Sequence, residues 1–226
     1  MHHLIIGSGV AGLQAARAIL EAEPQSRVSM LGRESAPPYS RPMISQLLEG
    51  TVNMNQLTLG LPSAVELITG DEALELDTEQ KTVQTRSGRS LAFDRLLIAS
   101  GADPRSIAAE NADLDNIYYM RDKTQVESIL ENLSSCSRAL VLGGGLVGFK
   151  AAYGLLRQGL PVTMLISSGY PLSQQVDQFT GALILEKLQN NGLQVQVGQE
   201  VQNFAAQNGR VSAAQLSEKN IGAIWA

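Results

Sequence analysis

Two glycine-rich stretches, one in each half of the chain, have the spacing with which a backbone turn can hold a phosphate group. The first is Gly7-Ser8-Gly9-Val10-Ala11-Gly12, and the second is Gly143-Gly144-Gly145-Leu146-Val147-Gly148. Both match G-x-G-x-x-G, in which the first glycine allows a sharp turn, the second admits a pyrophosphate and the third allows close helix packing. The N–H groups at the start of the following helix attract negative charge.

The residues around each stretch predict the elements that would position it. Residues 4–6 are an apolar run before the first stretch, apolar positions from 10 to 20 have helical spacing, and residues 28–31 form another apolar run. The same order recurs at residues 139–142, 147–156 and 162–166. This repetition predicts an α/β fold with two Rossmann-like three-layer nucleotide-binding domains in tandem.

Composition narrows the class of protein. The 226 residues are 44 % hydrophobic and only 4 % aromatic, which suits aliphatic parallel strands. A net charge of −5 argues against nucleic-acid binding. No apolar stretch approaches the roughly 18 residues of a membrane span, and no secretory leader is recognisable. We therefore expect a cytoplasmic protein without nucleic-acid, membrane or metal partners.

Three segments together resemble the pyridine nucleotide-disulfide oxidoreductase superfamily. They are the first glycine stretch, Pro37-Pro38-Tyr39-Ser40-Arg41-Pro42-Met43, and Phe93-Asp94-Arg95-Leu96-Leu97-Ile98-Ala99-Ser100-Gly101. The middle segment is similar to rubredoxin reductase-like and nitrite reductase large-subunit-like members. The resemblance implies an FAD-binding domain at residues 1–108, without the returning C-terminal segment that completes it in longer members. It also implies an NAD(P)-binding domain at residues 109–226.

The resemblance also implies which residues surround each cofactor. Those expected around FAD are Gly7, Ser8, Gly9, Val10, Ala11, Gly12, Arg33, Glu34, Arg41, Pro42, Ala73, Ala99, Ser100 and Gly101. Those expected around NAD(P)H are Gly143, Gly145, Leu146, Val147, Gly148, Lys150 and Ser167. The sequence singles out no side chain as a catalytic acid or base.

Two of the FAD residues also have a physical argument of their own. A carboxylate about 20 residues beyond the glycines binds a ribose hydroxyl in this type of fold. Glu34 is the candidate, although it comes slightly late in the sequence and a solvated loop charge is nearly as good an interpretation. The guanidinium of Arg41 can pair with phosphate oxygens, with a surface charge as the alternative.

The second half departs from the family pattern at two positions. NAD-preferring relatives carry Glu or Asp where Ile166 stands, and relatives carry a glutamate where Lys150 stands. Ser167 and Ser168 offer uncharged hydroxyl donors, so the sequence leaves the choice between NADH and NADPH open. Lys150 is either a reversed charge near the nicotinamide or a solvated helix residue.

The cysteine content bears on the chemistry. Cys136 is the single cysteine, so a redox-active pair within the chain is excluded. We therefore expect an FAD-dependent NAD(P)H oxidoreductase, or a fragment of one, that passes hydride to flavin and electrons to a protein or small acceptor. A non-catalytic nucleotide-binding or redox-sensing module is the alternative. The sequence leaves a homodimer open.

Overall fold

The computed structural model describes residues 1–217 and the backbone of Ile224 and Trp225. Along the chain the elements are β1 (His2–Ile6), α1 (Val10–Ala22), β2 (Arg27–Gly32), a 3-10 helix (Arg41–Met43), α2 (Ile44–Leu48), α3 (Met54–Leu57), β3 (Val65–Thr69), β4 (Ala73–Asp77), β5 (Thr82–Thr85), β6 (Ser90–Ala92), β7 (Arg95–Ile98), α4 (Lys123–Asn132), a 3-10 helix (Leu133–Ser135), β8 (Ala139–Leu142), α5 (Leu146–Arg157), β9 (Val162–Ile166), α6 (Gln178–Asn190), β10 (Gln194–Val197), β11 (Val201–Gln207), β12 (Arg210–Leu216) and β13 (Ile224–Trp225).

These elements form two compact units that are not contiguous in sequence. The first comprises Met1–Pro42 and Met54–Asp103, and the second comprises Met43–Asn53 and Pro104–Ala226. The expected mixed α/β structure with parallel sheets is confirmed. The assignment of residues 1–108 to FAD and 109–226 to NAD(P)H stays a prediction.

The first unit is built on a parallel sheet with the strand order β3-β2-β1-β7. One face of this sheet packs against α1, where Ile5, Val28 and Met30 meet Leu13 and Ala16 without solvent exposure. Burial of this aliphatic surface supplies the main driving force for holding the helix on the sheet. A separate antiparallel sheet has the order β4-β5-β6.

The second unit repeats this plan with a parallel sheet of order β10-β9-β8 and an antiparallel sheet of order β11-β12-β13. Every residue of β9 is buried, as expected for a central parallel strand. A second core joins Leu165 to Phe204, Ala214 and Leu216 of the antiparallel sheet. Helix α2 also belongs to this unit, where it packs against α4 and α5.

Some features were not expected from the sequence. The periodicity did not predict α3 or β4, and it did not place α2 with the second half of the chain. The tail at residues 220–226 showed no pattern, and apart from Ile224 and Trp225 it lies outside the described residues. Among the described helices, none has the length and apolar character that a bilayer crossing requires.

Candidate functional site

The first glycine turn begins where β1 ends. Gly7 has a φ of +115°, a backbone conformation that favours glycine, and its N–H donates to the carbonyl of Leu31 at 2.8 Å. A Cβ on Gly12 would lie 2.1 Å from the Gly7 carbonyl oxygen. A Cβ on Gly9 would meet nothing within 4 Å. Protein packing therefore requires Gly7 and Gly12, whereas the open space at Gly9 fits a pyrophosphate that approaches the backbone.

The segment after β7 closes against this turn. The Ala99 N–H donates to the Ile6 carbonyl at 2.7 Å, and a Cβ on Gly7 would lie 2.1 Å from the Ala99 carbonyl oxygen. Gly101, with a φ of +76°, then turns the chain away. The structure thus brings Ala99 and Ser100 beside the first glycine turn, although they are more than 90 residues away along the chain.

A polar cluster lies beyond the end of β2, and we call Glu34, Tyr39 and Arg41 the carboxylate cluster. The Tyr39 hydroxyl donates to a carboxylate oxygen of Glu34 at 2.6 Å, and Arg41 forms an ion pair with the other oxygen. The Arg41 guanidinium also stands over the Tyr39 ring, 5.3 Å from its centroid. The sequence singled out Glu34 and Arg41 separately and missed that they pair with each other.

Two further contacts organise the same end of β2. Arg33 is exposed and pairs with Asp103 at 2.8 Å. The N–H of Gly70 donates to the Glu34 carbonyl at 3.0 Å, so the segment that leads into β4 at Ala73 meets the chain just beyond the end of β2. The position of Ala73 near the adenine stays a prediction.

Asp71 fixes the loop before β4. Its carboxylate accepts hydrogen bonds from the Ser87 hydroxyl at 2.6 Å and from the Ser87 N–H at 3.0 Å. The Ser87 hydroxyl is the largest cause that lowers the pKa of Asp71 to about 2, because these donors favour the charged form.

The second glycine turn has the same backbone geometry as the first. Gly143 has a φ of +109° and donates to the Leu165 carbonyl at 2.8 Å. A Cβ on Gly148 would lie 2.1 Å from the Gly143 carbonyl oxygen, whereas a Cβ on Gly145 would meet nothing within 4 Å. Helix α5 begins immediately after Gly145, so its first N–H groups are available for a phosphate.

Ile166, at the end of β9, is only 1 % exposed and packs over this turn. Its Cγ2 would lie 2.6 Å from a Cβ on Gly144. The first unit has the reverse arrangement, because the Ser8 hydroxyl oxygen would lie 2.3 Å from a Cβ on Gly32. In the first unit the glycine ends the strand and the larger residue lies in the turn, whereas in the second unit the glycine lies in the turn and the larger residue ends the strand. A carboxylate at position 166 would therefore be buried against the turn.

The loop after β9 folds back onto the second turn, which the sequence did not predict. Leu172 adopts a φ of +54° and its N–H donates to the Gly144 carbonyl at 2.9 Å. The Ser168 hydroxyl donates to the Tyr170 carbonyl at 2.9 Å, whereas Ser167 is exposed. Of the two serines, Ser167 is therefore the one whose side chain faces solvent.

Three remaining predicted positions lie on or near α5. Leu146 and Val147 in its first turn are 59 % and 58 % exposed. Lys150 follows in the next turn and is also exposed.

Cys136 is half-buried after the 3-10 helix that ends at Ser135, before β8 begins.

Comparison with known proteins identifies the family. A sequence model of the pyridine nucleotide-disulphide oxidoreductases matches residues 1–224. The chain belongs to this family. It is similar to the nitrite reductase [NAD(P)H] of Bacillus subtilis, with 30 % identity over 196 residues that cover 84 % of this chain and 24 % of that protein. It is also similar to the ferredoxin–NAD(+) reductase subunit of the benzene 1,2-dioxygenase system of Pseudomonas putida. The two are 28 % identical over a stretch that covers 91 % of this chain and 52 % of that protein.

A solved structure of this family has the same fold. A ferredoxin reductase from Rhodopseudomonas palustris matches with a TM-score of 0.90 and 25 % identity, covering 98 % of this chain and 56 % of that one. The chain therefore spans about half the length of the ferredoxin reductases that it matches, and about a quarter of the nitrite reductase. Although the family name refers to a disulphide, this chain has a single cysteine, Cys136.

Proposed function

We propose that the chain is the FAD- and NAD(P)H-binding part of a flavoprotein oxidoreductase, with two dinucleotide-binding domains in tandem. The single observation that carries this proposal is the duplicated turn. In each copy the third glycine touches the first, the second glycine faces open space, and a helix N-terminus follows. Such a turn at a helix N-terminus suits a pyrophosphate.

Further backbone contacts support the tandem arrangement. In the first unit, Gly70 donates to the carbonyl of Glu34, and in the second unit Gly198 donates to the carbonyl of Ser168 at 3.1 Å. In both units this bond joins the segment after the third strand to the end of the second strand. The internal similarity therefore extends beyond the glycine turns to the edge where the adenosine would lie.

The residues of this chain bind and orient, while the cofactors carry the chemistry. When bound, FAD would supply the capacity to take up hydride and release electrons, and NAD(P)H would supply the hydride. The N-termini of α1 and α5 hold the two pyrophosphates. Glu34 accepts ribose hydrogen bonds, and Arg41 holds the Glu34 carboxylate in place. Ala99, Ser100 and Gly101 cover the first turn.

The acceptor is a protein or a small molecule, and the transfer does not use a disulfide. The relatives include ferredoxin–NAD(+) and rubredoxin–NAD(+) reductases of Pseudomonas putida, which supports a small redox protein as the acceptor. A dithiol relay needs two thiols, and Cys136 is alone in this chain.

A non-catalytic nucleotide-binding module is the second candidate. The observation that favours it is the burial of Ile166 over Gly144, which leaves the end of β9 without the carboxylate that reads a ribose. In such a module the nucleotides would bind without electron transfer between them.

The test uses the purified chain with FAD added. We expect a protein-bound flavin spectrum that bleaches when NADH or NADPH is added without oxygen. Cys136→Ser is the matched control, because the bleaching should persist without the thiol. Uptake of FAD and of nicotinamide nucleotide without bleaching would support the non-catalytic module, and a chain that takes up no FAD would refute the proposal.

A further inference from the structure

The Pro-rich loop that follows β2 places Tyr39 by pairing its backbone. The Ser40 N–H donates to the Leu57 carbonyl at 2.9 Å. An antiparallel bridge joins Tyr39 to Thr58. Only 4 % of Tyr39 is exposed, so neighbouring atoms also confine its ring. All four residues belong to the first compact unit, and the Tyr39 hydroxyl therefore has a fixed position within that unit.

Two contacts on different oxygens hold the Glu34 carboxylate. The Tyr39 hydroxyl donates to one oxygen at 2.6 Å, and the Arg41 guanidinium pairs with the other. The last side-chain torsion of a glutamate is broad, so a single contact leaves a carboxylate free to rotate. Contacts to both oxygens restrict this rotation. Removing the Tyr39 hydroxyl should therefore release the plane of the carboxylate while the ion pair with Arg41 remains.

The carboxylate that is held in this way can accept further hydrogen bonds. An ionised carboxylate offers about four lone pairs, two on each oxygen. Tyr39 and Arg41 each engage one oxygen, and the Glu34 side chain remains 20 % exposed. Each oxygen therefore retains acceptor capacity toward a donor that arrives from outside the chain. Two adjacent acceptor oxygens in one fixed plane suit the two neighbouring hydroxyls of a ribose.

We propose that Tyr39 is a positioning residue, which fixes the plane of the Glu34 carboxylate so that both oxygens accept hydrogen bonds from the 2′- and 3′-hydroxyls of an adenosine ribose. Tyr39 acts through Glu34, so its loss should affect the recognition of this diol more than the general strength of nucleotide binding. The recognition of the diol rests on the proposed function, whereas the coupling between Tyr39 and Glu34 does not.

Displacement of FAD from the full chain by ADP and by 2′-deoxy-ADP measures the recognition of the diol, because the two competitors differ by one hydroxyl. The wild-type chain should prefer ADP by about 10- to 150-fold, the range for one hydrogen bond to a charged group. Tyr39→Phe keeps the ring and the backbone bridge, and this preference should fall by about 2- to 12-fold. General loosening of the site would weaken both competitors and leave their ratio unchanged.

Two further variants complete the competition experiment. Glu34→Ala removes the carboxylate and should abolish the preference for ADP over 2′-deoxy-ADP. Tyr153→Phe removes the hydroxyl of an exposed tyrosine on α5, and as the matched control it should keep the wild-type preference. An unchanged preference in Tyr39→Phe would overturn the positioning role. Equal affinities of the two competitors for the wild-type chain would overturn the recognition of the diol.

A double-mutant cycle in the nucleotide-free chain tests the contact by itself. Tyr39→Phe, Glu34→Ala and the double variant are compared by urea unfolding. Their effects on the unfolding equilibrium constant should be coupled by about 2- to 150-fold, the range for residues in contact. Independent effects would overturn the contact and the proposal with it. If the wild-type chain takes up no FAD, the proposed function fails together with the recognition of the diol, and the cycle still decides whether Tyr39 holds Glu34.

Discussion

The second and third glycines of the first turn should respond differently to the same substitution. Gly9 has φ and ψ of −80° and −174°, which any residue can adopt, and a Cβ there would meet nothing within 4 Å. A Cβ on Gly12 would lie 2.1 Å from a backbone oxygen that cannot move independently of the turn. Gly9→Ala should therefore affect FAD binding, and Gly12→Ala should affect the stability of the fold.

The expected magnitudes follow from these positions. Gly9→Ala should leave the free energy of unfolding nearly unchanged, because the gain of about 0.4–1 kcal/mol from a less flexible unfolded chain is offset by the poorer N-cap that alanine gives α1. Gly12→Ala should lower it by about 1–3 kcal/mol or more through overpacking. At Gly9 the new methyl displaces the pyrophosphate, and losing one charged hydrogen bond of about 1.5–3 kcal/mol weakens FAD binding roughly 10- to 150-fold.

Urea titration measures the free energies of unfolding, and quenching of flavin fluorescence measures FAD affinity. Gly145→Ala is the matched variant in the second turn, where φ and ψ are −87° and 177°. It should weaken nicotinamide nucleotide binding and leave FAD binding unchanged. Wild-type FAD affinity in Gly9→Ala would refute the reasoning, as would a loss of stability in Gly9→Ala equal to that in Gly12→Ala.

Three further substitutions have defined outcomes. Ser87→Ala should raise the pKa of Asp71 from about 2, seen by NMR titration of its carboxyl. Because the folded pKa is depressed, this carboxylate stabilises the fold above its unfolded pKa of about 3.9 and loses that contribution as pH falls toward its folded value. The acid unfolding midpoint of Ser87→Ala should therefore lie at higher pH, and an unchanged midpoint would contradict the assignment. Ile166→Ala should lower the free energy of unfolding by about 2–5 kcal/mol in urea titration, since it empties a buried site, and a smaller loss would mean that the contact with Gly144 is unimportant. Glu34→Gln removes the ion pair with Arg41 and should weaken FAD binding by about 2- to 12-fold in fluorescence titration. An FAD affinity equal to that of the wild-type chain would contradict this role of Glu34.

Local patterns in the sequence predicted most of the parallel-sheet framework. The apolar runs around each glycine turn became β1, β2, β8 and β9, because buried parallel strands are continuously aliphatic. The Asn208-Gly209 turn between β11 and β12 also follows the sequence, since both residues have positive φ there. By contrast, β4 was not predicted: Leu74 and Leu76 alternate with Glu75 and Asp77 over only four residues, which is a short pattern, and most of the strand is exposed.

The candidate site was less predictable, because its side chains are paired across the fold. Glu34 and Arg41 were each named from local motifs, but their ion pair depends on how the Pro-rich loop folds back on β2. The Ser8–Gly32 and Gly144–Ile166 pairs likewise join positions about 20 residues apart. A residue type alone does not show whether its neighbour across the turn is large or small.

The sequence by itself determined the two glycine turns, the order of strands and helices around them, the family, and the lack of a cysteine pair. These properties depend on short-range spacing and residue count, which are visible without a fold. Only the tertiary structure decided that Ile166 packs over Gly144, that Glu34 pairs with Arg41, and that α2 belongs with α5. Those outcomes depend on which distant side chains share the same small volume, because packing requires complementary sizes on both sides of a contact.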